Sequence, residues 1–267
     1  MSTNRDSKPN NLVQTIERAS SILDILGQSP QGISIRELSA KIKLPKGTTH
    51  RLLSSLSYFG YVRQDSRTRN YLLGFKLVEL GNLLLGQLDL RKEAEPFLRN
   101  LAERTKETVH MVILDRYEVV YIDKVETDQH SSGLKMASRV GLRNPAHSSA
   151  VGKVLLAHFS EEELKHFIKE KGLAKRTENT VVNPAQLKEH LKSVRAQGYA
   201  VDDEENEKGI RCVAAPIYNE VGKTVAAMSI SGPAFRITKK LIQESLKKEV
   251  METALKISQR LGFRGGK

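Results

Sequence analysis

The chain has 267 residues, of which 39% are apolar and 28% charged, with one cysteine and a formal charge of +12. That is enough apolar material for real cores and enough length for two domains, one short and one of ordinary size. Cys212 alone excludes an intramolecular disulfide and any multi-cysteine metal site, which fits a reducing cytoplasm. The polar first ten residues lack the apolar stretch of a signal peptide, and no apolar run reaches the roughly 18 residues that span a bilayer. The expectation is a cytosolic protein that makes no membrane contact.

The charge is uneven. Residues 1–76 hold 12 Lys/Arg against 5 Asp/Glu, and the remainder holds 31 against 26. A polyanionic partner for the N-terminal part follows, because basic side chains gain affinity by releasing counterions from phosphates.

Residues 1–10 read as a disordered arm. A helical stripe follows in Val13, Ile16, Ala19, Leu23 and Leu26, ended by Gly27 and Pro30. Ser34 and Glu37 then form a capping box that opens a short helix with Ile35, Leu38 and Ile42 on its inner side. Leu44-Pro45 breaks the chain before a third helix, whose inner face is Thr49, Leu52, Leu53 and Leu56 and which Gly60 closes. Two short helices around so tight a break form a helix-turn-helix. The outer face of the third helix carries Lys46, Gly47, Thr48, His50, Arg51, Ser54 and Ser55, with no acid among them. Such a face suits a major groove, where hydroxyls and cations reach phosphates and base edges.

After Gly60 the period shortens to two. Tyr61-Val62-Arg63 and Tyr71-Leu72-Leu73 read as a hairpin whose turn, Asp65 to Asn70, carries Arg67 and Arg69. A basic hairpin behind a recognition helix is a wing that touches the flanking DNA backbone or minor groove. The candidate DNA contacts are therefore Lys46, Thr48, Thr49, His50, Arg51 and Ser54 on the helix, with Arg67 and Arg69 on the wing. Domain assignments follow as 11–76 for this winged helix-turn-helix, 77–90 for a leucine-rich linker helix, and 91–267 for a second domain.

In the second domain, a helix over 95–105 precedes alternating apolar strands around Val109–Ile113 and up to Tyr121, with a third short strand over Leu134–Ala137. Helices are expected over 148–159 and 160–171, the latter opened by a Ser160–Glu163 capping box, and from Asn183-Pro184 to Gly198. Strands over 199–201, 211–218 and 224–231 and a final helix over 238–261 complete an α+β pattern of antiparallel hairpins flanked by helices.

Little here points to catalysis. Gly152-Lys153 lacks the earlier glycine and the following hydroxyl of a phosphate loop, and the seven histidines show no paired ligand spacing. No metal and no cofactor is expected. The acidic run Asp202 to Glu207 reads as a solvated loop. Cys212, followed by Val213, Ala214 and Ala215, reads as a buried, inert thiol, although a thiol-dependent enzyme centred on it stays open. A binding pocket is better supported. Ser148 to Gly152 starts a helix with small residues and accessible amides, and Ser229 and Ser231 face the same way from an apolar strand.

The order Leu44-Pro45-Lys46, Thr48, His50-Arg51-Leu52-Leu53 and Gly60-Tyr61-Val62 resembles the IclR family of bacterial transcription regulators. Gly47 stands where a serine is usual there, and Thr49 where an aliphatic residue is usual. Asp202-Asp203-Glu204-Glu205, Gly209-Ile210-Arg211-Cys212 and Ser229 to Pro233 resemble that family's effector domain. The resemblance implies a GAF-like fold with a pocket lined by Met136, Ala150, Val151, Asp202, Cys212, Ser229 and Ser231. It implies a carboxylate effector held by the amides of Ala150 and Val151 and the hydroxyls of Ser229 and Ser231. It implies too a linker helix that helps pair two subunits, hence a homo-oligomer on a double-stranded, palindromic operator. Thr105 to Thr108 and Arg139 to Pro145 look most like the branch that governs 2-keto-3-deoxygluconate and related sugar-acid catabolism. The function so implied is repression relieved or altered by a small organic acid, against a ligand-independent DNA-binding protein as the alternative.

Overall fold

The computed structural model describes residues 11–86, 89–126 and 136–265. The expected arm over 1–10, Leu88 of the linker stripe, and Leu134-Lys135 of the third short strand lie outside them. The chain divides into two compact units, Met1–Gln87 and Leu88–Lys267.

The first unit holds α1 (Gln14–Gly27), α2 (Ile35–Ile42), α3 (Lys46–Tyr58), the hairpin β1 (Val62–Gln64) and β2 (Tyr71–Leu73), and α4 (Lys76–Gly86). Its core is Ile22, Leu26, Ile33, Leu38, Leu53, Val62 and Tyr71. Each such aliphatic burial contributes about 1.5–3 kcal/mol. The stripe expected on α1 is only half present, because Val13 and Ile16 are 60% and 64% exposed while Ile22 supplies the buried contact. At α2 the Ser34 hydroxyl accepts from the Glu37 amide and the Glu37 carboxylate from the Ser34 amide, the complete capping box. An isolated bridge, Ile33 to Tyr71, ties the segment before α2 to the hairpin.

The second unit is a six-stranded antiparallel sheet. Its order is β5 (Arg143–Pro145), β4 (Glu118–Val125), β3 (Thr108–Asp115), β8 (Thr224–Pro233), β7 (Ile210–Tyr218) and β6 (Ala200–Asp203). One face is covered by α5 (Asp89–Thr105) and by α10 (Lys247–Arg260), which follows the short α9 (Lys239–Leu241) and a π turn over Ile242–Leu246. The other face carries α6 (Ala150–Leu156), with α7 (Glu161–Lys171) and α8 (Pro184–Gln197) packed around it. Both faces being covered explains why β7 and β8 read as near-continuous apolar runs. Met136 and Ala137 carry no regular structure, so the expected third short strand is not formed at its described end; the strand that pairs there with β4 is β5.

Two local features place α6. A side-chain carbon at Gly152 would stand 2.2 Å from the Ala146 carbonyl oxygen, so only glycine lets the helix approach the preceding loop this closely. Lys153, 3% exposed, donates to the Val201 carbonyl at 2.6 Å and pairs with Glu205 at 2.5 Å. What resembled the end of a phosphate loop is thus a buried staple between α6 and the segment after β6.

That segment corrects the reading of Asp202 to Glu207 as a solvated loop. Asp202 and Glu205 are buried, and Asp203 pairs with Arg211 at 2.6 Å and with Lys239 at 2.6 Å. The Glu204 carboxylate accepts from the Gly209 amide. The Thr177 hydroxyl donates to the Glu204 carbonyl at 2.7 Å, that of Thr180 to the Glu205 carbonyl at 2.6 Å, and the Asn179 amide group to the Asp203 carbonyl at 3.0 Å. Carboxylates of this run serve as internal acceptors, a role that composition does not reveal.

Candidate functional site

α3 starts at Pro45 without a side-chain cap, and its first turn contains no acid. A helix N-terminus presents unpaired amides and a partial positive charge, which Lys46 reinforces rather than offsets. That end is suited to a phosphate. Lys46, Gly47, His50, Arg51, Ser54 and Ser55 are exposed along the outer face, and Thr48 is half-buried. Thr49 must be taken out of this set. Its side chain is fully buried and its hydroxyl donates to the Pro45 carbonyl at 3.2 Å, so it packs inward as an aliphatic residue would. Gly47 meets no atom within 4 Å of where a side-chain carbon would stand, so packing does not require glycine there.

The wing is shaped by Asp65. Its carboxylate accepts from the amides of Arg67 and Thr68 and from the Thr68 hydroxyl, at 3.1, 2.7 and 2.9 Å. The bond from the Thr68 amide does most to hold that carboxyl below the usual carboxylate range. Gln64 donates to the Arg69 carbonyl at 2.8 Å, and Arg67 and Arg69 stay exposed at the tip.

The second unit contains a partly open cavity of about 240 Å³, bounded by β3, β4, β7, β8 and the start of α6. This is below the roughly 300–1,000 Å³ of sites for drug-sized ligands, so it suits a small metabolite. Met136, Ala150, Val151, Asp202, Cys212, Ser229 and Ser231 all line it. The Ser149 hydroxyl caps α6 by accepting from the Gly152 amide at 3.2 Å. Ala150 and Val151 then carry the first two amides of the helix, ahead of its internal bonding. Because α6 is only seven residues long, the side chains of the cavity carry more of its chemistry than the helix end does.

Cross-strand register explains the grouping. His110 on β3 is opposite Ser229 on β8, and Cys212 on β7 is opposite Ser231. The Ser229 and Ser231 oxygens are 3.1 Å apart, and Ser231 is 3.3 Å from His110 Nδ1. Desolvation, and secondarily the Asp202 carboxyl, pushes the Cys212 thiol well above its usual range, so it lacks the thiolate character of a nucleophile. Burial pushes the Tyr121 phenol up to about 12 although its oxygen accepts from Asn144 at 3.2 Å, leaving it a hydrogen-bond donor at neutral pH.

His110, Tyr121, Asn144 and Arg176 also line the cavity and were not found from the sequence. Their partners come from distant strands and loops. The one available signal was a histidine inside the apolar strand Val109–Ile113.

Asp202 is 3% exposed, and burial pushes its carboxyl up to about 7, against the pull of the Lys153 ammonium. Its Oδ1 accepts from the amides of Glu205 and Asn206 at 2.7 and 3.3 Å, which Asn could imitate. Because the folded value lies above the ordinary 3.8, the wild type loses stability as pH rises from about 4 through about 7. Asp202→Asn is therefore expected to match the wild type in thermal stability near pH 4 and to exceed it increasingly up to pH 8. Melting curves over that range check this, and a constant difference would refute it.

The comparisons with known proteins come down on one family. Residues 15–66 match the IclR helix-turn-helix domain, and residues 83–259 match the bacterial transcriptional regulator IclR C-terminal domain. The HTH-type transcriptional regulator XynR of Escherichia coli is 36% identical over 252 residues, covering 94% of this chain and 98% of the relative. The regulator KdgR of the same organism is 37% identical over 259 residues, covering 97% and 96%. The crystal structure of the Thermotoga maritima IclR superposes with a TM-score of 0.76 at 38% identity, covering 94% of this chain and 99% of that one. These relatives and families are transcription regulators rather than enzymes, and with a helix-turn-helix in one unit and a helix-flanked sheet in the other, the chain belongs to the IclR family of bacterial transcriptional regulators.

Proposed function

We propose that this regulator is a cytoplasmic, homo-oligomeric repressor whose hold on a palindromic operator changes when a small organic acid, such as a sugar-derived keto acid, fills the 240 Å³ cavity. The convergence of the seven expected pocket residues on one small, partly open cavity carries the effector half of this reading. The DNA half is supported by the acid-free outer face of α3 and the exposed arginines of the wing. Lys46, Thr48, His50, Arg51 and Ser54 would reach the major groove, with Arg67 and Arg69 on the flanking backbone. In the cavity, the hydroxyls of Ser229 and Ser231 and the amides of Ala150 and Val151 would take the carboxylate, and Asp202 and Cys212 would face the rest of the ligand.

Pairing of subunits is supported by α4, which leaves Val78, Leu80, Leu83 and Leu84 between 40% and 62% exposed. Two copies joined there would present two recognition helices to two half-sites. Regulation then requires that the ligand prefer one arrangement of the pair, since equal affinity for both shifts nothing.

The test is fluorescence-anisotropy binding to the DNA upstream of the chain's own gene, at fixed salt, with a panel of keto and aromatic acids. Specific binding altered by a sugar-derived keto acid is the expected result. A Ser229→Ala, Ser231→Ala double variant should keep operator affinity and lose about tenfold or more in effector response, taking about 0.5–1.5 kcal/mol per hydrogen bond. Salt-dominated binding that ignores every acid would favour ligand-independent DNA binding, and a normal response in the double variant would move the pocket elsewhere.

A further inference from the structure

His110 is 2% exposed, in the middle of β3. Its Nε2 is 2.9 Å from the Ser138 hydroxyl and its Nδ1 is 3.3 Å from the Ser231 hydroxyl, which in turn is 3.1 Å from Ser229. The ring stands edge-on to Tyr121, with centroids 5.1 Å apart. Four side chains thus make an unbroken polar chain along one wall of the cavity, from the segment after residue 135 to the centre of β8. Burial, with the Lys124 ammonium nearby, pushes the imidazole down to about 3, so the ring is neutral at physiological pH.

A neutral imidazole has one N–H and one lone pair. It can therefore donate to only one of its two serines and must accept from the other. The choice fixes which serine donates to the ring and which accepts from it. If Nδ1 carries the hydrogen, Ser231 receives it and its own O–H is released toward Ser229, the Cys212 sulfur or a ligand. If Nε2 carries it, Ser231 spends its O–H on Nδ1 and offers the cavity only lone pairs. Hydroxyl donors make shorter bonds than N–H donors, so 2.9 Å at Nε2 and 3.3 Å at Nδ1 match Ser138 donating in and Nδ1–H donating out. Lys124 anchors the same serine by donating to the Ser138 carbonyl at 2.7 Å.

We propose that His110 is a positioning residue for the effector: as its Nδ1–H tautomer it turns the Ser231–Ser229 pair into a hydrogen-bond donor, selecting ligands that present an oxygen acceptor to that wall. This rests on the cavity being the effector site, and it adds a selectivity that the serines alone do not have, since a hydroxyl left to itself donates or accepts equally well. The same ring ties to the sheet the segment carrying Met136 and Ala137, which also line the cavity.

Long-range proton–nitrogen correlation spectra of the full chain, with His110 assigned by its loss in His110→Phe, report the tautomer without any ligand. The Nδ1–H form is expected at pH 7, and an Nε2–H form or an imidazolium overturns the proposal. Calorimetric titration with pyruvate and with 2-keto-3-deoxygluconate supplies the second arm. His110→Phe should weaken whichever acid binds by tenfold or more. His110→Asn, whose amide N–H can stand near the position of Nδ1–H, should stay within about threefold of the wild type. Equal losses in both variants, or none in His110→Phe, overturn the role. A wild type that binds neither acid counts against the keto-acid reading of the cavity, while the tautomer still decides the role of His110.

Discussion

Replacing Lys153 by Met is expected to destabilise the second unit by about 3–5 kcal/mol, because it strips the counter-ion from a largely buried carboxylate. Lys153 and Glu205 are 3% and 6% exposed, and among the described residues one Glu205 carboxylate oxygen already has no hydrogen-bond partner. Without the ammonium, Glu205 loses its 2.5 Å ion pair and the Val201 carbonyl loses its 2.6 Å donor. For a unit of this size the loss corresponds to a fall of about 10 °C in melting temperature. Adding Glu205→Leu should recover most of it, since removing both charges abolishes the unpaired one and leaves an apolar pair of similar bulk. Calorimetric melting of the wild type, the single variant and the double variant decides the matter. A single variant within about 1 kcal/mol of the wild type would show that the pair is hydrated and that the staple between α6 and the segment after β6 lies elsewhere.

The second large effect belongs to the other unit. Arg51→Ala should lower operator affinity by about 5- to 150-fold per subunit, the equivalent of losing one bidentate base contact of about 1–3 kcal/mol. Folding should be untouched, within about 0.5 kcal/mol, because Arg51 is exposed and α3 is anchored through the buried Thr49 and Leu53 on its opposite side. Effector affinity should not change either. Anisotropy with the specific operator and with an unrelated duplex at one salt concentration separates the two components of binding. Loss confined to the specific duplex is the expected pattern. An unchanged operator affinity would remove α3 from the groove.

How much was legible beforehand depended on how far apart the cooperating residues stand. Capping boxes at Ser34 and Ser160, and the Asn183-Pro184 start and Gly198 end of α8, are settled within four residues and were readable as such. The α1 stripe was not, since counting apolar residues does not reveal that Ile22 rather than Val13 and Ile16 meets the core. For the cavity, the small-residue helix start pointed to Ala150 and Val151 and strand alternation to Ser229 and Ser231, while Met136, Asp202 and Cys212 came from the family resemblance alone. His110 escaped both routes because its two partners lie 28 and 121 residues away. The acidic run was misread for a related reason. Its cations and donors, Lys153, Arg211, Lys239, Thr177 and Thr180, are scattered over four other stretches of chain.

That run also divides its labour residue by residue. Asp202 faces the cavity, Asp203 holds Arg211 and Lys239, Glu204 closes the turn to Gly209, and Glu205 holds Lys153. The members that line the cavity, Asp202, Asn206 and Glu207, carry none of these ion pairs, and the members that carry them are outside the cavity wall. Positions of this kind let ligand preference change while the ion pairs stay fixed. Retuning the proposed effector cavity to a different ligand would begin at Asp202, Asn206 and Glu207 and leave Asp203, Glu204 and Glu205 alone.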